Sequence, residues 1–299
     1  HNVTVLENVA YNTNGHSFLL RDGKEWNNKI ELNLAAKNRN PGGDDAGFLI
    51  RSLRNVIVGN VVAGAVDRGF SFPIEGSVKE PSRSGLPGGN PSPRKDIGGS
   101  ILNNVAHGCH GYAFILSRWL ITSDTSVPLK GFRLYRNLGT GAYIRGYYVK
   151  FHDAFFADNR VKSVDLSYCD NCQLKNVDIV GDTALIQDEY KAHGTWHQCI
   201  GDPEYSSSFR YVGVEMFAWN DHETKYDELG QRFEDVRFSG FTNSSCAHAK
   251  AVAFEKKRRM PHYDLLTTMS GVVNLDDGDF PVDFCTASEV MEVEDVVFN

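Results

Sequence analysis

The chain has 299 residues, a formal net charge of −7, a pI near 5.8 and 41% apolar residues. That composition can fill a sizeable core, and its acidity argues against a general nucleic-acid binder, which needs a basic face. No apolar run approaches the roughly 20 residues of a membrane-spanning helix. No targeting segment appears at either end, so a chain that starts at His1 and ends in "VEDVVFN" reads as a processed protein or a piece of a longer one.

Taken in order, the sequence is a series of rungs. "VTVLEN" leads into "NVAYNTNGHSFLL" at 8–20, and "KIELN" into "NLAAKN" and "AGFLI" over 33–50. "VIVGN" then leads into "NVVAGAVDRGFSF" at 60–72, "SILNN" into "NVAHGCHGYAFIL" at 104–116, and "FRLYRN" into "NLGTGAYI" at 137–144. Each rung has Asn, a small apolar pair, a polar stretch with Gly, and a short run with aromatics at alternate positions. The asparagines are 25, 27, 44, 33 and 22 residues apart. The long interval holds a Pro-, Gly- and Ser-rich stretch, 75–97, expected as a surface loop insertion. Later rungs are less regular: "VKFHDAFFADN", "NCQLKNVDIVGD", "SFRYVGVEMFAW", "FEDVRFSGF", "KAVAFE" and "VMEVEDVVFN".

Alternation over four to six residues means strands, and little of the chain shows a 3.6-residue period, so helices should be few. Short strands at this period predict an all-β fold, a right-handed parallel β-helix forming one domain over 1–299. The recurring Asn is expected at a bend, where it tolerates left-handed backbone and bonds main-chain groups. Gly before the aromatic run is expected to serve the next bend. A sandwich or propeller is the competing architecture, and Asn14-Gly15 and Asp22-Gly23 would suit its hairpins.

Candidate chemistry is scattered. His16, Asp22 and Glu25 could form an acid–base or cation site in a groove, or cap a bend and make a turn. His107 and His110 are expected at the matching bend two rungs on, as part of a histidine-lined groove or of a polar corner. His193, His197 and Cys199 have a metal-like spacing in loop-like surroundings. Cys169 and Cys172 read as a local disulfide or two buried thiols. Tyr143 and Arg145, with Tyr147 and Tyr148, could form a sugar-stacking platform or pack inward. Lys256, Lys257 and Arg258 form the one basic cluster, either a contact for anionic polysaccharide or a solvated loop. The sequons at Asn2 and Asn243, with six cysteines in all, tilt the chain toward an extracellular location.

Several segments carry a family resemblance. "VAYNTNGHSFLLRDGKEWNN" at 9–28, "AGFLI" through "NVIVGNVVAGAVDRGFSF" at 46–72, and "LYRNLGTGAYIRG" with "FADN" at 134–159 resemble the β-helical region of the cell-migration-inducing hyaluronidases and the related fibrocystin-like cell-surface proteins. The resemblance implies a secreted or membrane-anchored, glycosylated, multidomain setting. It implies two functions: depolymerisation of hyaluronan, with calcium as the associated cation, or a surface or filament component. The eight-glycine module that usually precedes this region in the family is not in this sequence. The favoured expectation is a non-catalytic extracellular module of a cell-surface, coat or filament glycoprotein, contacting neighbouring protein chains or glycans. The alternative is a hyaluronidase-like or lyase-like enzyme acting on uronic-acid glycans.

Overall fold

The computed structural model describes residues 1–39, 44–79, 92–93, 98–119, 128–181, 212–217, 231–241, 250–255, 267–275, 282–283 and 291–294. Among these there are 26 strands and no helix, hence no helix long and apolar enough to cross a membrane. Every strand pairing is parallel, within one 17-stranded and one 9-stranded sheet. The fold is a parallel β-helix.

The first coil sets the plan with β1 (Thr4–Leu6), β2 (Val9–Tyr11) and β3 (Phe18–Leu20). The second repeats it with β4 (Lys29–Glu31), β5 (Leu34–Ala36) and β6 (Ala46–Ile50). The third has β7 (Val56–Val58), β8 (Val61–Ala63) and β9 (Arg68–Pro73). The fourth has β10 (Ser100–Leu102), β11 (Val105–His107) and β12 (Tyr112–Trp119). The fifth has β13 (Pro128–Lys130), β14 (Arg133–Tyr135) and β15 (Thr140–Tyr147), and the sixth β16 (Lys150–His152), β17 (Phe155–Ala157) and β18 (Lys162–Asp170). Beyond these, β19 (Gln173–Val180) and β21 (Arg232–Ser239) each run through the first two faces of a coil, and β20 (Val212–Phe217) and β22 (Lys250–Glu255) extend the third face.

Two corners are drawn by left-handed residues on successive coils. The first corner stacks Glu7, Leu32, Gly59, Asn103, Gly131, Asp153, Asn176, Asp235 and Gly271, all at φ between 51° and 69°. The second stacks Asn12, Lys37, Gly64, Gly108, Arg136, Asp158 and Gly240. Gly is free of strain in this region and Asn and Asp tolerate it best, which explains much of the polar punctuation in the sequence.

The asparagine ladder sits one residue past the first corner. Asn33 Oδ1 accepts the Asn8 backbone N–H at 2.9 Å, Asn60 Oδ1 that of Asn33 at 3.0 Å, and Asn104 Oδ1 that of Asn60 at 3.0 Å. Each Nδ2 also donates to the next amide oxygen, at 3.0–3.1 Å. The ladder ends there, because Phe132 and Ala154 follow Gly131 and Asp153 at this corner. The repeat as read from spacing placed Asn137 and Asn159 in this series. They belong to the second corner instead: Asn137 Oδ1 accepts the Cys109 N–H at 3.0 Å, and Asn137 Nδ2 donates to Asn159 Oδ1 at 2.7 Å. A shorter pair, Asn28 and Asn55, performs the same service ahead of the first strand of the first two coils.

Inside, like residues stack. Ile30, Ile57, Ile101, Leu129, Phe151, Leu174 and Phe233 form one row. The other two faces complement each other along the axis. Where the second face offers Ala35, Val62 and Ala106, the third offers Phe48, Phe70 and Phe114; where the second offers Leu134, Phe156 and Ile179, the third offers Ala142, Val164 and Val214. Phe18, Phe48 and Phe70 stack face to face with centroids 4.6 and 5.0 Å apart. Each fully buried Phe contributes roughly 1.5–3 kcal/mol of hydrophobic stabilisation.

Gly15, ahead of the first aromatic run, is left-handed at φ 85° and serves a bend as expected, but the glycines set directly against the later runs do not turn the chain. Gly47, Gly69, Gly141 and Gly213 lie in one register row with Ala113, Ser163 and Ala251 at the start of the third face. A Cβ on Gly47 would meet Val62 on the second face at 2.8 Å, whereas one on Gly69 would run into the Ala113 carbonyl and one on Gly213 into the Ala251 carbonyl at 2.5 Å, both on the next rung of the same face. Their role is close approach, to the second face at Gly47 and to the neighbouring rung at Gly69 and Gly213.

Candidate functional site

The tail of the first coil, Arg21 to Glu25, is a self-contained turn. The Glu25 carboxylate accepts the backbone N–H groups of Arg21, Asp22 and Gly23 at 2.8, 2.9 and 2.9 Å. Gly23 supplies the left-handed residue, at φ 85°. The start of the 75–97 stretch crosses it, with Lys79 N–H donating to the Asp22 carbonyl at 2.9 Å. Charge-assisted bonds to a carboxylate are strong, so Glu25 is committed to holding the turn.

His16 lies between β2 and β3, half-buried. Its Nδ1 accepts the Ala46 N–H at 3.1 Å and stands 3.9 Å from Asp45 Oδ1. Burial pushes its pKa below 6.5, against the pull of Asp45. His107 lies on a different face. Its ladder runs from Ala63 through His107 to Tyr135 and Ala157, and the first-coil member of that row is Tyr11. The two histidines therefore occupy different positions of the coil, because the tight corner after β11 is short where the one after β2 is long. His110 follows that corner, its N–H donating to the Ala65 carbonyl.

The histidines make a pH prediction. Burial lowers both pKa values, with Arg136 adding to the effect at His107. The unfolded chain then binds more protons than the folded one once pH falls below 6.5, so stability drops from there through the depressed folded values. The carboxylates lowered by their partners, Glu75 and Glu234, act only below 4.5. Urea midpoints measured across this range should decline in two steps, and His16→Gln should flatten the upper one.

Residues Asp153 and Arg133 open a second region, on the outer side of the second face. A groove of about 590 Å³ is lined by Arg133, Tyr135, Asp153, Phe155, Asp178 and Arg237, among others. Leu134, Phe156 and Ile179 point inward and are fully buried, so alternation turns their neighbours out. Arg133, Phe155, Asp178 and Arg237 are register partners on successive rungs. Arg237 is paired with Asp178. Asp153 accepts from Asn176 at 2.7 Å and pairs with Lys130 at 3.2 Å, which holds its carboxyl below the usual range. His107 stacks on the Tyr135 ring at 5.1 Å and 8°. No motif in the linear sequence marks this groove.

On the third face, Tyr143, Asp165 and Glu215 are register partners on successive rungs. Lys162 reaches Asp165 at 2.8 Å and also pairs with Glu215. Both carboxylate side chains are below 10% exposure, at 8% and 2%. Tyr143 is half-buried against Tyr112 at 5.5 Å, Arg145 is exposed, and Tyr148 packs partly against the core. This buried cluster was also not singled out from the sequence, although an acid inside an apolar strand, as in "VGVEMF", is its signal.

Cys169 and Cys172 are joined as a disulfide, with Cα atoms 5.8 Å apart. Cys109 is a buried thiol whose pKa is pushed up to about 12, so it is unreactive. Asn2 is exposed at a left-handed bend before β1. Lys256, Lys257, Arg258, Asn243, His193, His197 and Cys199 lie outside the described residues. No group of three or more metal-ligating side chains converges among the described residues.

Comparison with known proteins adds family context. The family model for the CEMIP beta-helix matches residues 1–45. Mouse fibrocystin is 24% identical over 74% of this chain, in a match covering 5% of fibrocystin. Protein rliB and a G8 domain-containing protein, both of Dictyostelium discoideum, are each 34% identical over 24% of this chain and 8% of their own lengths. The chain thus spans only a small part of the length of the curated relatives it matches.

Proposed function

From this CEMIP- and fibrocystin-like β-helical region, we propose a non-catalytic extracellular module of a larger cell-surface, coat or filament glycoprotein, one that contacts glycans or neighbouring chains. The observation that carries this reading is how the acid–base candidates are spent. Glu25 holds three main-chain N–H groups, His16 Nδ1 accepts a fourth, and His107 is stacked on Tyr135 on another face. A general acid–base pair needs free groups within hydrogen-bond reach of one substrate bond; Glu25 is taken up by its own turn, His16 Nδ1 by a main-chain N–H, and His107 sits on another face from His16. The local disulfide and the exposed sequon asparagine, Asn2, fit an oxidising, glycosylating compartment.

Incubation of the protein with hyaluronan, with added calcium and with chelator, tests the reading. Polymer length should be unchanged in both arms. Shortening that His16→Gln or Glu25→Gln abolishes would establish the depolymerase instead.

A further inference from the structure

We propose that the groove on the second face is a binding site for an uncharged saccharide chain lying along the β-helix axis. The inference deepens the glycan-contact part of the reading above and rests on it. Sugar recognition calls for two features at once: ring faces for the apolar C–H side of a pyranose, and planar donors and acceptors for its hydroxyls. The groove has both. Tyr135 and Phe155 present half-exposed rings on neighbouring coils. Arg133 and Arg237 supply guanidinium donors, and Asp153 and Asp178 supply carboxylate acceptors.

The rings and charges are held in place before any ligand arrives. His107 backs the Tyr135 ring, Asn176 and Lys130 fix Asp153, and Asp178 pairs with Arg237. Arg133 is exposed and makes no ion pair with the other described residues, so its donors remain available. Preorganisation of this kind lowers the ordering cost of binding. The groove's volume of about 590 Å³ lies in the range of small-ligand sites.

Charge selects the ligand class. The lining carries two arginines against two aspartates, and with Lys130 on Asp153 the surplus is one cation, Arg133, too few to hold a polyanion by charge. Burial and Arg136 lower the His107 pKa from its ordinary value, which disfavours a further cation here. Uronic or sulfated groups would be repelled by Asp153 and Asp178 at close range, whereas the hydroxyls of an uncharged chain can donate to them. Spacing selects the orientation. Rungs repeat at about 4.8 Å, close to the length of one sugar ring, so Arg133, Phe155, Asp178 and Arg237 offer one contact per sugar along the axis.

The test is calorimetric titration of the intact chain with cellotetraose, mannotetraose and chitotetraose, beside a hyaluronan tetrasaccharide. At least one neutral oligomer should bind with a Kd at or below about 1 mM, and Tyr135→Ala and Phe155→Ala should each weaken it about tenfold, as loss of one anchor does. Tyr11→Ser, exposed on the first coil, should leave binding unchanged. If either ring variant loses its folded far-ultraviolet signature, Arg133→Gln, at an exposed side chain, takes its place with the same expected loss. The proposal is overturned if no neutral oligomer binds, if the hyaluronan oligomer binds more tightly, or if the groove variants leave binding intact. Failure here is read as lost binding, whereas failure of the non-catalytic reading is read as polymer shortening.

Discussion

Asn60→Ala should destabilise the protein by roughly 2–4 kcal/mol, far more than a polar-to-Ala change on a surface would. Asn60 is fully buried. Its Oδ1 accepts both the backbone N–H and the Nδ2 of Asn33, and its Nδ2 donates to the Ile30 carbonyl at 2.8 Å and to Asn104 Oδ1 at 3.1 Å. Truncation strands the Asn33 N–H in a fully buried site, and a buried orphan donor costs about 1–3 kcal/mol by itself. The Ile30 carbonyl and Asn104 Oδ1 each lose one donor as well. Asn8→Ala is the matched control. Asn8 is exposed and its Nδ2 donates to Leu6 O and Asn33 Oδ1, so its loss should cost under about 1 kcal/mol. Urea unfolding reads the difference, and hydrogen exchange at the Asn33 amide should accelerate selectively in Asn60→Ala. Equal stability of the two variants would refute the ladder as a source of stability.

Lys162→Met should cost about 3–5 kcal/mol, the range for removing one partner of a buried ion pair. Asp165 and Glu215 face each other across adjacent rungs with little solvent. At rung spacing, two unscreened carboxylates repel by on the order of 3 kcal/mol at an effective dielectric near 20. Lys162 is the cation that lies against both. Adding Glu215→Gln and Asp165→Asn to Lys162→Met should restore most of the stability, because an uncharged cluster needs no counterion. A triple variant no more stable than the single one would show that Lys162 acts through packing of its stem.

Much of the coil was legible in the sequence. Alternation gave the strands, and the recurring Asn pointed to corners. The register was less so. Both corners use a left-handed residue followed by a side chain that bonds the neighbouring coil, so "RNLGTG" at the second corner looks like "NNVAHG" at the first. Asn137 was therefore assigned to the wrong corner, and His107 was matched with His16 when its true counterpart is Tyr11. The groove was hidden for a related reason. Arg133, Phe155, Asp178 and Arg237 each lie two residues past the left-handed residues Gly131, Asp153, Asn176 and Asp235. Aligning the rungs on those residues instead of on Asn would have put all four in one column. Glu25 misled because a carboxylate near a His resembles chemistry, and only the three N–H groups around it reveal a turn.

The ladder between Asn60 and Asn104 spans 44 residues, yet its hydrogen bond is as long as the one that spans 27. Registration therefore depends on which residues reach the corner and is insensitive to how far the chain wanders between coils. Doubling such an excursion costs only about 0.6 kcal/mol of closure entropy. The solenoid behaves as a frame that can accept new sequence at a rung boundary without being retuned. A foreign peptide, a fluorophore-binding tag or a whole small domain grafted into the 75–97 stretch should leave the coils above and below it in place.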